Sequence, residues 1–160
     1  MLQGPGCLNY SLILKITGAL QSITETNCFV MQHHRDALQP FVKGKVEVRG
    51  HTDLAIGDLK FSGNSQRRRR EFLLFHGSFL LHLDISLVEK ALRMPSKEPE
   101  YRLSRSHSDF LLNIKVPPSR VKQALVKCWG ANELLTRIPI EQITGLARDK
   151  YARDDWNFRF

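Results

Sequence analysis

Residues 50–66 read GHTDLAIGDLKFSGNSQ and carry the clearest structural signal in the chain. Two short segments with apolar residues, 54–56 and 60–61, flank Gly57 and Asp58, a pair suited to the tight turn of a β-hairpin. Ser62, Gly63 and Asn64 follow, and three small polar residues in a row predict a further turn. The stretch therefore predicts two short antiparallel strands leading into a glycine-containing turn.

Upstream of this hairpin the sequence predicts one strand and one helix. A Gly4-Pro5-Gly6 turn precedes a largely apolar strand at residues 8–16. Ser22, with Glu25 three residues later, is a capping signal, and apolar residues then recur at helical spacing until Pro40. We therefore expect a helix at residues 23–38.

Downstream of the hairpin, residues 71–84 predict a long buried strand, and Gly77 in its middle indicates that another group approaches the backbone closely. Helices are predicted at residues 86–92, 120–129 and 141–151. Residues 94–102 and 104–109 are predicted to be loops. Together these elements predict an α+β fold, with a mixed, largely antiparallel sheet and flanking helices.

The composition restricts the class of protein. A chain of 160 residues with 42% apolar and 25% charged residues is typical of one globular domain. No apolar run approaches the roughly 20 residues that a bilayer span needs, so we expect a cytoplasmic protein that makes no membrane contact. Cys7, Cys28 and Cys128 are too widely spaced to indicate a disulfide framework or a metal site, and we predict no metal ligands from the protein.

The net charge of +8 favours an anionic partner. Residues 67–70 are four consecutive arginines, which predict a solvated strand end or loop, or a docking patch for an acidic protein domain or RNA. The run contains no aromatic residue on which bases could stack, and this argues against single-stranded nucleic acid as the partner. A nucleic-acid-binding module remains a weaker alternative.

The same stretch resembles the lipoate-protein ligase A family, within the superfamily of biotin and lipoate ligase catalytic domains. That family has a Gly-x-Asn-Asp-Leu element followed by a Lys-x-Ser-Gly-Ser/Asn-Ala/Ser strand and turn. The residues that match, in order, are Gly50, Asp53, Leu54, Lys60, Ser62, Gly63, Asn64 and Ser65. Thr52 replaces the Asn of the first element. The resemblance extends to GPGCLNYS at residues 4–11, LFHGSFLLHLD at 74–84 and KYARDDWNFRF at 150–160.

This resemblance implies a catalytic domain like those of class II aminoacyl-tRNA synthetases and biotin ligases. In the family, an arginine pair and a glycine-rich loop precede the strand that GPGCLNYS resembles, and this sequence lacks them. We therefore expect residues 1–160 to be a partial catalytic domain, incomplete at its N-terminal side and without the small C-terminal accessory domain of some members.

Lys60 is the candidate catalytic residue. Activation of a carboxylic acid with ATP produces an acyl-adenylate, and a fixed cation can hold its phosphate and polarise its carbonyl. Ser62, Gly63 and Asn64 could bring a backbone N–H close to an anion. Asp53 could accept ribose hydroxyls or help to hold Mg²⁺, and a purely turn-forming Asp is the structural alternative.

The remaining candidate residues depend more on the resemblance. It implies that His76, beside Gly77, lines the acyl pocket, where a buried core histidine would be the alternative. It places Asn9 on the strand beside the adenylate, although a strand Asn could equally bond a loop. Ser65 completes the matched strand and turn.

The resemblance implies an ATP-dependent ligase, monomeric, that uses ATP, Mg²⁺ and lipoate or octanoate. It would modify a lysine of the lipoyl domains of 2-oxoacid dehydrogenase complexes or of the glycine-cleavage H protein. The first alternative is an octanoyltransferase of the same superfamily that carries the acyl group on a cysteine, for which Cys7 is the candidate. The second is an inactive fragment that acts only as a binding module.

Overall fold

The computed structural model describes residues 2–159, which divide into two compact units at residues 130 and 131. The strands of the first unit are β1 (Cys7–Lys15), β2 (Val46–Arg49), β3 (Asp53–Ile56), β4 (Leu59–Arg68) and β5 (Phe72–Leu80). Its α-helices are α1 (Ile23–Leu38), α2 (Ile85–Ala91), α3 (His107–Phe110) and α4 (Pro118–Trp129). Single turns of 3-10 helix occupy Gly18–Leu20, Gln39–Phe41 and Glu100–Arg102.

The second unit is helical. It contains α5 (Ile140–Leu146), which continues into a wider π-helical turn at Ala147–Tyr151, and then α6 (Asp154–Asn157). The helix predicted at residues 141–151 is thus present, with a change of winding in its second half. Across residues 2–159, no helix has both the length and the apolar character that a membrane crossing would require.

The sheet has the order β1-β5-β4-β3-β2, and every neighbouring pair of strands is antiparallel. A single parallel bridge joins Lys60 to Leu111, just after α3. The prediction of a mixed, largely antiparallel sheet with flanking helices is therefore confirmed. The central strands β4 and β5 pair over seven consecutive positions, from Ser62 opposite Phe79 to Arg68 opposite Leu73.

The core lies between one face of this sheet and the helices α1 and α4. Buried side chains from the sheet include Phe61, Phe75 and Phe79, and they meet α1 at Val30, Met31 and Leu38. Along β1 the residues alternate, so that Leu12 and Leu14 pack toward the core and the odd-numbered residues from Asn9 to Lys15 point away. The opposite face of the sheet is consequently free of α1 and carries polar residues.

The helix α1 begins and ends where the sequence predicts, and α4 ends as predicted but begins two residues earlier, at Pro118. The Ser22 hydroxyl accepts a hydrogen bond from the Glu25 amide at 3.1 Å, which caps the first turn of α1. Pro118 opens α4, and Gly130 ends it with a left-handed φ of 60°. The Ser22 hydroxyl and the Gly130 amide each pair with a backbone group that the helix itself leaves unpaired, whereas Pro118 has no N–H that needs a partner.

The turn predicted at Ser62, Gly63 and Asn64 is wrong, because these residues lie inside β4. The pairing of β3 with β4 shifts between Leu54 and Ala55, since Leu54 pairs with Ser62 and Ala55 with Lys60. The extra residue, Phe61, forms a β-bulge, after which β4 continues along β5. A small polar sequence therefore remains a strand because both neighbouring strands supply hydrogen-bond partners.

The loop predicted at residues 104–109 is also corrected. The Ser106 hydroxyl accepts a hydrogen bond from the Asp109 amide at 3.0 Å and starts the short helix α3. Phe110 and His107 both lie on α3, and both side chains are buried. The strand predicted at residues 71–84 is shorter than expected, since β5 ends at Leu80.

Candidate active site

The hairpin of β3 and β4 places Lys60 beside Asp53. Lys60 Nζ lies 2.7 Å from Asp53 Oδ1, and the two side chains are only 25% and 12% exposed. A tight turn with a left-handed Gly57 (φ 58°) returns the chain so that both residues project from the same region. A partly buried ion pair of this kind holds the ammonium group in one place, where the effective dielectric constant is below that of water.

The Lys60 side chain lies beside Gly63. A Cβ atom at position 63 would lie 3.5 Å from Lys60 Cε and 3.6 Å from its Nζ, so the lysine extends directly over this glycine. Gly63 is not in a left-handed conformation, and a Cβ atom here would make only an ordinary van der Waals contact with Lys60. Gly63 lies on β4 and not in a turn.

Tyr101 fixes the second oxygen of the same carboxylate. Its hydroxyl donates to Asp53 Oδ2 at 2.8 Å, and the Arg49 guanidinium lies 5.0 Å from its ring centroid. Burial, together with the negative charge of Asp53, raises the pKa of the Tyr101 phenol above its usual range, so Tyr101 stays a hydrogen-bond donor. Asp53 therefore has one partner on each carboxylate oxygen.

A cavity of about 360 Å³ opens beside this pair. The residues that line it include the polar or small residues Asp53, Lys60, Ser62, Gly63, Asn64 and Ser78 and the apolar residues Leu80, Leu83, Val88, Leu92 and Phe110. The buried polar residues Arg102 and His107 also line it, as does Cys7. Asp53 and Lys60 line a second, larger groove of about 1120 Å³ formed with residues 49–52 and 96–101. The ion pair stands where both spaces meet.

Asn64 is held by hydrogen bonds on three sides. Its Oδ1 accepts from the Tyr10 hydroxyl, and its Nδ2 donates to Thr52 O at 2.6 Å and to Ser62 Oγ at 2.9 Å. The Thr52 hydroxyl in turn donates to Asn64 O at 3.2 Å. These contacts tie β4 to β1 and to the turn that precedes Asp53, so Asn64 positions the site from behind.

At Gly77 another group approaches the backbone closely, as the sequence predicts. A Cβ atom at position 77 would lie 1.8 Å from Asn64 Oδ1 and 2.7 Å from Gly63 O. The group that approaches the backbone is therefore the Asn64 side chain, which crosses from β4 over β5. A larger residue at position 77 would require Asn64 to leave its three partners.

Asn9, Ser65 and His76 lie on the open face of the sheet, away from α1. Asn9 accepts a hydrogen bond from Ser78 Oγ, and Ser78 is part of the cavity wall. His76 pairs with Ser65 across the β4–β5 ladder. Within residues 2–159, none of these three side chains is part of the cavity lining, nor is Gly77. Asn9 thus adjoins the cavity, while Ser65 and His76 lie further along the sheet.

Sequence reasoning missed three residues of this site. Tyr101, Arg102 and His107 fall in segments that the sequence predicts as loops, and each is brought to the cavity by tertiary packing. The aromatic residue in a proline-bounded polar loop was the available signal for Tyr101. Across the described residues there is no group of three or more His, Cys, Asp or Glu side chains able to hold a metal ion.

Comparison with known sequences identifies a family model that matches residues 1–127, described as the lipoyl protein ligase A/B catalytic domain. The octanoyltransferase LipM of Kyrpidia tusciae is 30% identical over 120 residues, which cover 67% of this chain and 43% of that protein. Lipoate–protein ligase 1 of Staphylococcus aureus is 28% identical over 123 residues, covering 70% and 38%. The chain thus spans less than half the length of these curated relatives.

Solved structures show the same fold. A bipartite lipoate protein ligase from Thermoplasma acidophilum, described with its E2 lipoyl domain, superposes with a TM-score of 0.77 at 20% identity, covering 96% of this chain and 64% of that one. A lipoate-protein ligase A bound with ATP gives 0.70 at 21% identity, covering 95% and 65%. The biotin protein ligase of Aquifex aeolicus gives 0.56 at 12% identity, covering 79% and 52%.

Proposed function

Because the chain belongs to the lipoyl protein ligase A/B catalytic domain family, we propose that it is an ATP-dependent lipoate or octanoate protein ligase. It forms an acyl-adenylate and transfers the acyl group to a lysine of a lipoyl domain or of a glycine-cleavage H protein. The relatives are enzymes of the ligase and transferase type, and both types use the same fold. The choice between them depends on the site.

The observation that supports the ligase is the ion pair of Lys60 with Asp53 at the mouth of the cavity. The Lys60 ammonium lies 2.7 Å from the Asp53 carboxylate, and its side chain extends over Gly63. The cavity leaves free space beside this cation. An anionic phosphate entering this space would meet a preorganised positive charge. Asp53, held by Tyr101 at 2.8 Å, keeps Lys60 oriented before the substrate arrives.

The proposed chemistry has two steps. In the first, a carboxylate oxygen of the fatty acid attacks the α-phosphorus of ATP, and pyrophosphate leaves. In the second, the ε-amine of the acceptor lysine attacks the acyl carbonyl, AMP leaves and an amide forms. Lys60 stabilises the negative charge that develops on phosphate oxygen in the first step and on carbonyl oxygen in the second.

The neighbours support the substrates of this proposal. Structures of the fold are described with ATP, with lipoic acid and with an E2 lipoyl domain. Mg²⁺ would be held mainly by nucleotide phosphates and water, with Asp53 as the protein carboxylate nearest to them, and it would neutralise phosphate charge. The proposal includes a cytoplasmic protein, as expected from the sequence, that is monomeric, as the family resemblance implies.

The test is a mass measurement on an apo lipoyl domain incubated with this chain, ATP, Mg²⁺ and lipoate. We expect a lipoyl-sized gain that is lost in Lys60→Ala. Lys45→Ala is the matched control, since Lys45 is 81% exposed and pairs only with Glu47. A gain that survives in Lys60→Ala would refute the role of Lys60. Absence of a gain in wild type, followed by a gain with preformed lipoyl-adenylate, would restrict the activity to transfer.

The second candidate function is a cysteine-dependent octanoyltransferase. Two observations favour it: Cys7 lines the same cavity as Lys60, and several relatives are octanoyltransferases. In this reaction the Cys7 thiolate would attack the carbonyl of an acyl thioester, release the donor thiol and form an acyl-enzyme thioester. The amine of the acceptor lysine would then attack that carbonyl, form the amide and regenerate the Cys7 thiol. Cys7→Ser should then abolish octanoyl transfer while Cys28→Ser, on exposed α1 surface, retains it. Full activity in Cys7→Ser would exclude this route.

A further inference from the structure

The larger groove beside the Lys60–Asp53 pair has a different lining from the cavity. Its walls are residues 49–53 and 96–101, and of the described residues that line it only Asp53 and Lys60 also line the cavity. Its volume of about 1120 Å³ is above the roughly 300–1,000 Å³ that small-molecule sites occupy. A groove of this size can admit a segment of a second protein.

His51 is the middle residue of the turn that joins β2 to β3, two positions before Asp53. The next residue, Thr52, is tied to β4: its carbonyl oxygen accepts from Asn64 Nδ2 at 2.6 Å, and its hydroxyl donates to Asn64 O at 3.2 Å. His51 itself is exposed and lines the groove, and within residues 2–159 its ring has no hydrogen-bond or ion-pair partner. The backbone beside His51 is thus anchored, and the imidazole is accessible to a ligand.

Amide formation in the proposed second step requires a base. A lysine ε-amino group has an ordinary pKa of about 10.4, so near neutral pH it is an ammonium group without a lone pair for attack. Lys60 acts as a cation in the proposed reaction and cannot take this proton. A proton acceptor must therefore lie within reach of the amine, on the side from which the acceptor protein approaches.

The carboxylates of the groove are poorly suited to this task. Both oxygens of Asp53 already have partners. The Glu98 carboxylate accepts from the Ser104 amide at 2.9 Å and lies 3.6 Å from Arg102 Nε. Glu100 is exposed and lines the groove, but carboxylates as a class are weak bases at neutral pH.

We propose that this groove admits the acceptor lysine and that His51 accepts the proton from its ε-ammonium group. Imidazole as a class changes its protonation state between about pH 5 and 8, which makes it an efficient base near neutral pH. The free amine attacks the acyl carbonyl, the C–O bond to AMP breaks and its electron pair leaves with AMP, and the second amine proton passes to water. The charged groups that line the groove around His51 are Arg49, Asp53, Lys60, Lys97, Glu98 and Glu100. The inference rests on the proposed transfer to a lysine.

The first experiment measures transfer alone, from preformed lipoyl-adenylate to an apo lipoyl domain, in wild type and in His51→Gln between about pH 5.5 and 9. We expect transfer near neutral pH to be roughly 100-fold slower in His51→Gln. The wild-type rate should level off above the imidazole range. The variant rate should keep rising about tenfold per pH unit, because only lysine that has lost its proton to solvent reacts. Equal rates and equal pH profiles overturn the inference.

Two small molecules and one control variant separate a base from a structural role. Hydroxylamine is an uncharged nucleophile near neutral pH, so its reaction with bound lipoyl-adenylate should be unchanged in His51→Gln. Imidazole added to His51→Ala should restore part of the transfer rate. His82→Gln should behave as wild type, since exposed His82 lines neither the cavity nor the groove. An equal loss with hydroxylamine, or no rescue by imidazole, contradicts the role of His51 as a base.

Ser96→Trp tests the groove itself. Ser96 is exposed and lines the groove, so a bulky ring there should slow transfer to the lipoyl domain and leave pyrophosphate exchange, which reports adenylate formation, unchanged. Transfer at the wild-type rate would overturn the assignment of the groove. Exchange in wild type with no effect of position 51 on transfer removes only the inference, whereas His51-dependent transfer without exchange removes only the activation step.

Discussion

Replacement of Gly77 by alanine should destabilise the sheet at the point where it supports the active site. The new Cβ would lie 1.8 Å from Asn64 Oδ1, so the Asn64 side chain must move and its bonds with Tyr10, Thr52 and Ser62 are broken. Three part-buried hydrogen bonds at roughly 0.5–1.5 kcal/mol each contribute roughly 1.5–4.5 kcal/mol. The stiffer unfolded chain offsets roughly 0.4–1 kcal/mol of this, so the expected loss is roughly 0.5–4 kcal/mol, centred on about 2 kcal/mol.

The matched control is Gly63→Ala, on the neighbouring strand. Its Cβ would lie 3.5 Å from the flexible end of Lys60, an ordinary contact, so no stability should be lost, and the stiffer unfolded chain should add roughly 0.4–1 kcal/mol. Urea unfolding followed by Trp129 emission, in a common Trp156→Phe background, reports on the first unit alone. Equal stability of Gly77→Ala and wild type, or an equal loss in Gly63→Ala, would refute the reasoning.

Two further outcomes follow from buried polar groups. Burial and the neighbouring His33 lower the pKa of His34 from 6.5 to about 3, so the folded protein keeps His34 neutral while the unfolded chain protonates it below about pH 6.5. The contribution of neutral His34 to the free energy of unfolding is therefore full above that pH and declines as the pH falls toward 3, by about 2 kcal/mol at pH 5. The free energies of unfolding from urea titrations at pH 8 and pH 5 should differ less in His34→Gln than in wild type. Tyr101→Phe removes the donor to Asp53 Oδ2 and should lower the free energy of unfolding by roughly 1 kcal/mol. It should also weaken ATP binding measured by calorimetry, and an unchanged Kd would show that Lys60 alone orients Asp53.

The elements that were predicted correctly are determined by interactions between residues close together in the sequence. α1 begins after Ser22 and ends at Leu38, as its capping signal and Pro40 indicated. The Gly57-Asp58 turn is present because its chemistry is contained in two residues. Capping and turn formation involve residues only a few positions apart, and such signals can be read without knowledge of the tertiary structure.

The β-bulge at Phe61 could not be predicted in this way. Whether Ser62, Gly63 and Asn64 turn or remain extended depends on β5, which supplies their partners from residues 77–79. Local composition favours a turn at small polar residues, and the pairing of a central strand overrides that preference. The structure places these three residues in the cavity lining, whereas the turn predicted for them was wrong.

The structural role of the four-arginine run also could not be predicted from the local sequence. Arg68 donates to Leu20 O at 2.6 Å, to Gln21 O at 2.8 Å and to Thr26 Oγ1 at 3.1 Å, so it anchors the start of α1 to the end of β4. Alternation along a strand points Arg67 to the other face of the sheet. One residue of an apparently uniform basic run is therefore structural, and the sequence gives no sign of which one.

The polar groups behind the active site form a connected set whose members are far apart in the sequence. Trp129 donates to His34 at 3.0 Å, the Tyr10 ring packs edge-on against the His34 ring at 4.6 Å, and the Tyr10 hydroxyl donates to Asn64. Asn64 then holds Thr52, the residue before Asp53. Since each link is buried or part-buried, water competes poorly for it. The position of the Asp53 carboxylate therefore depends on the packing of α1 and α4 behind the sheet in addition to the hairpin that carries Lys60.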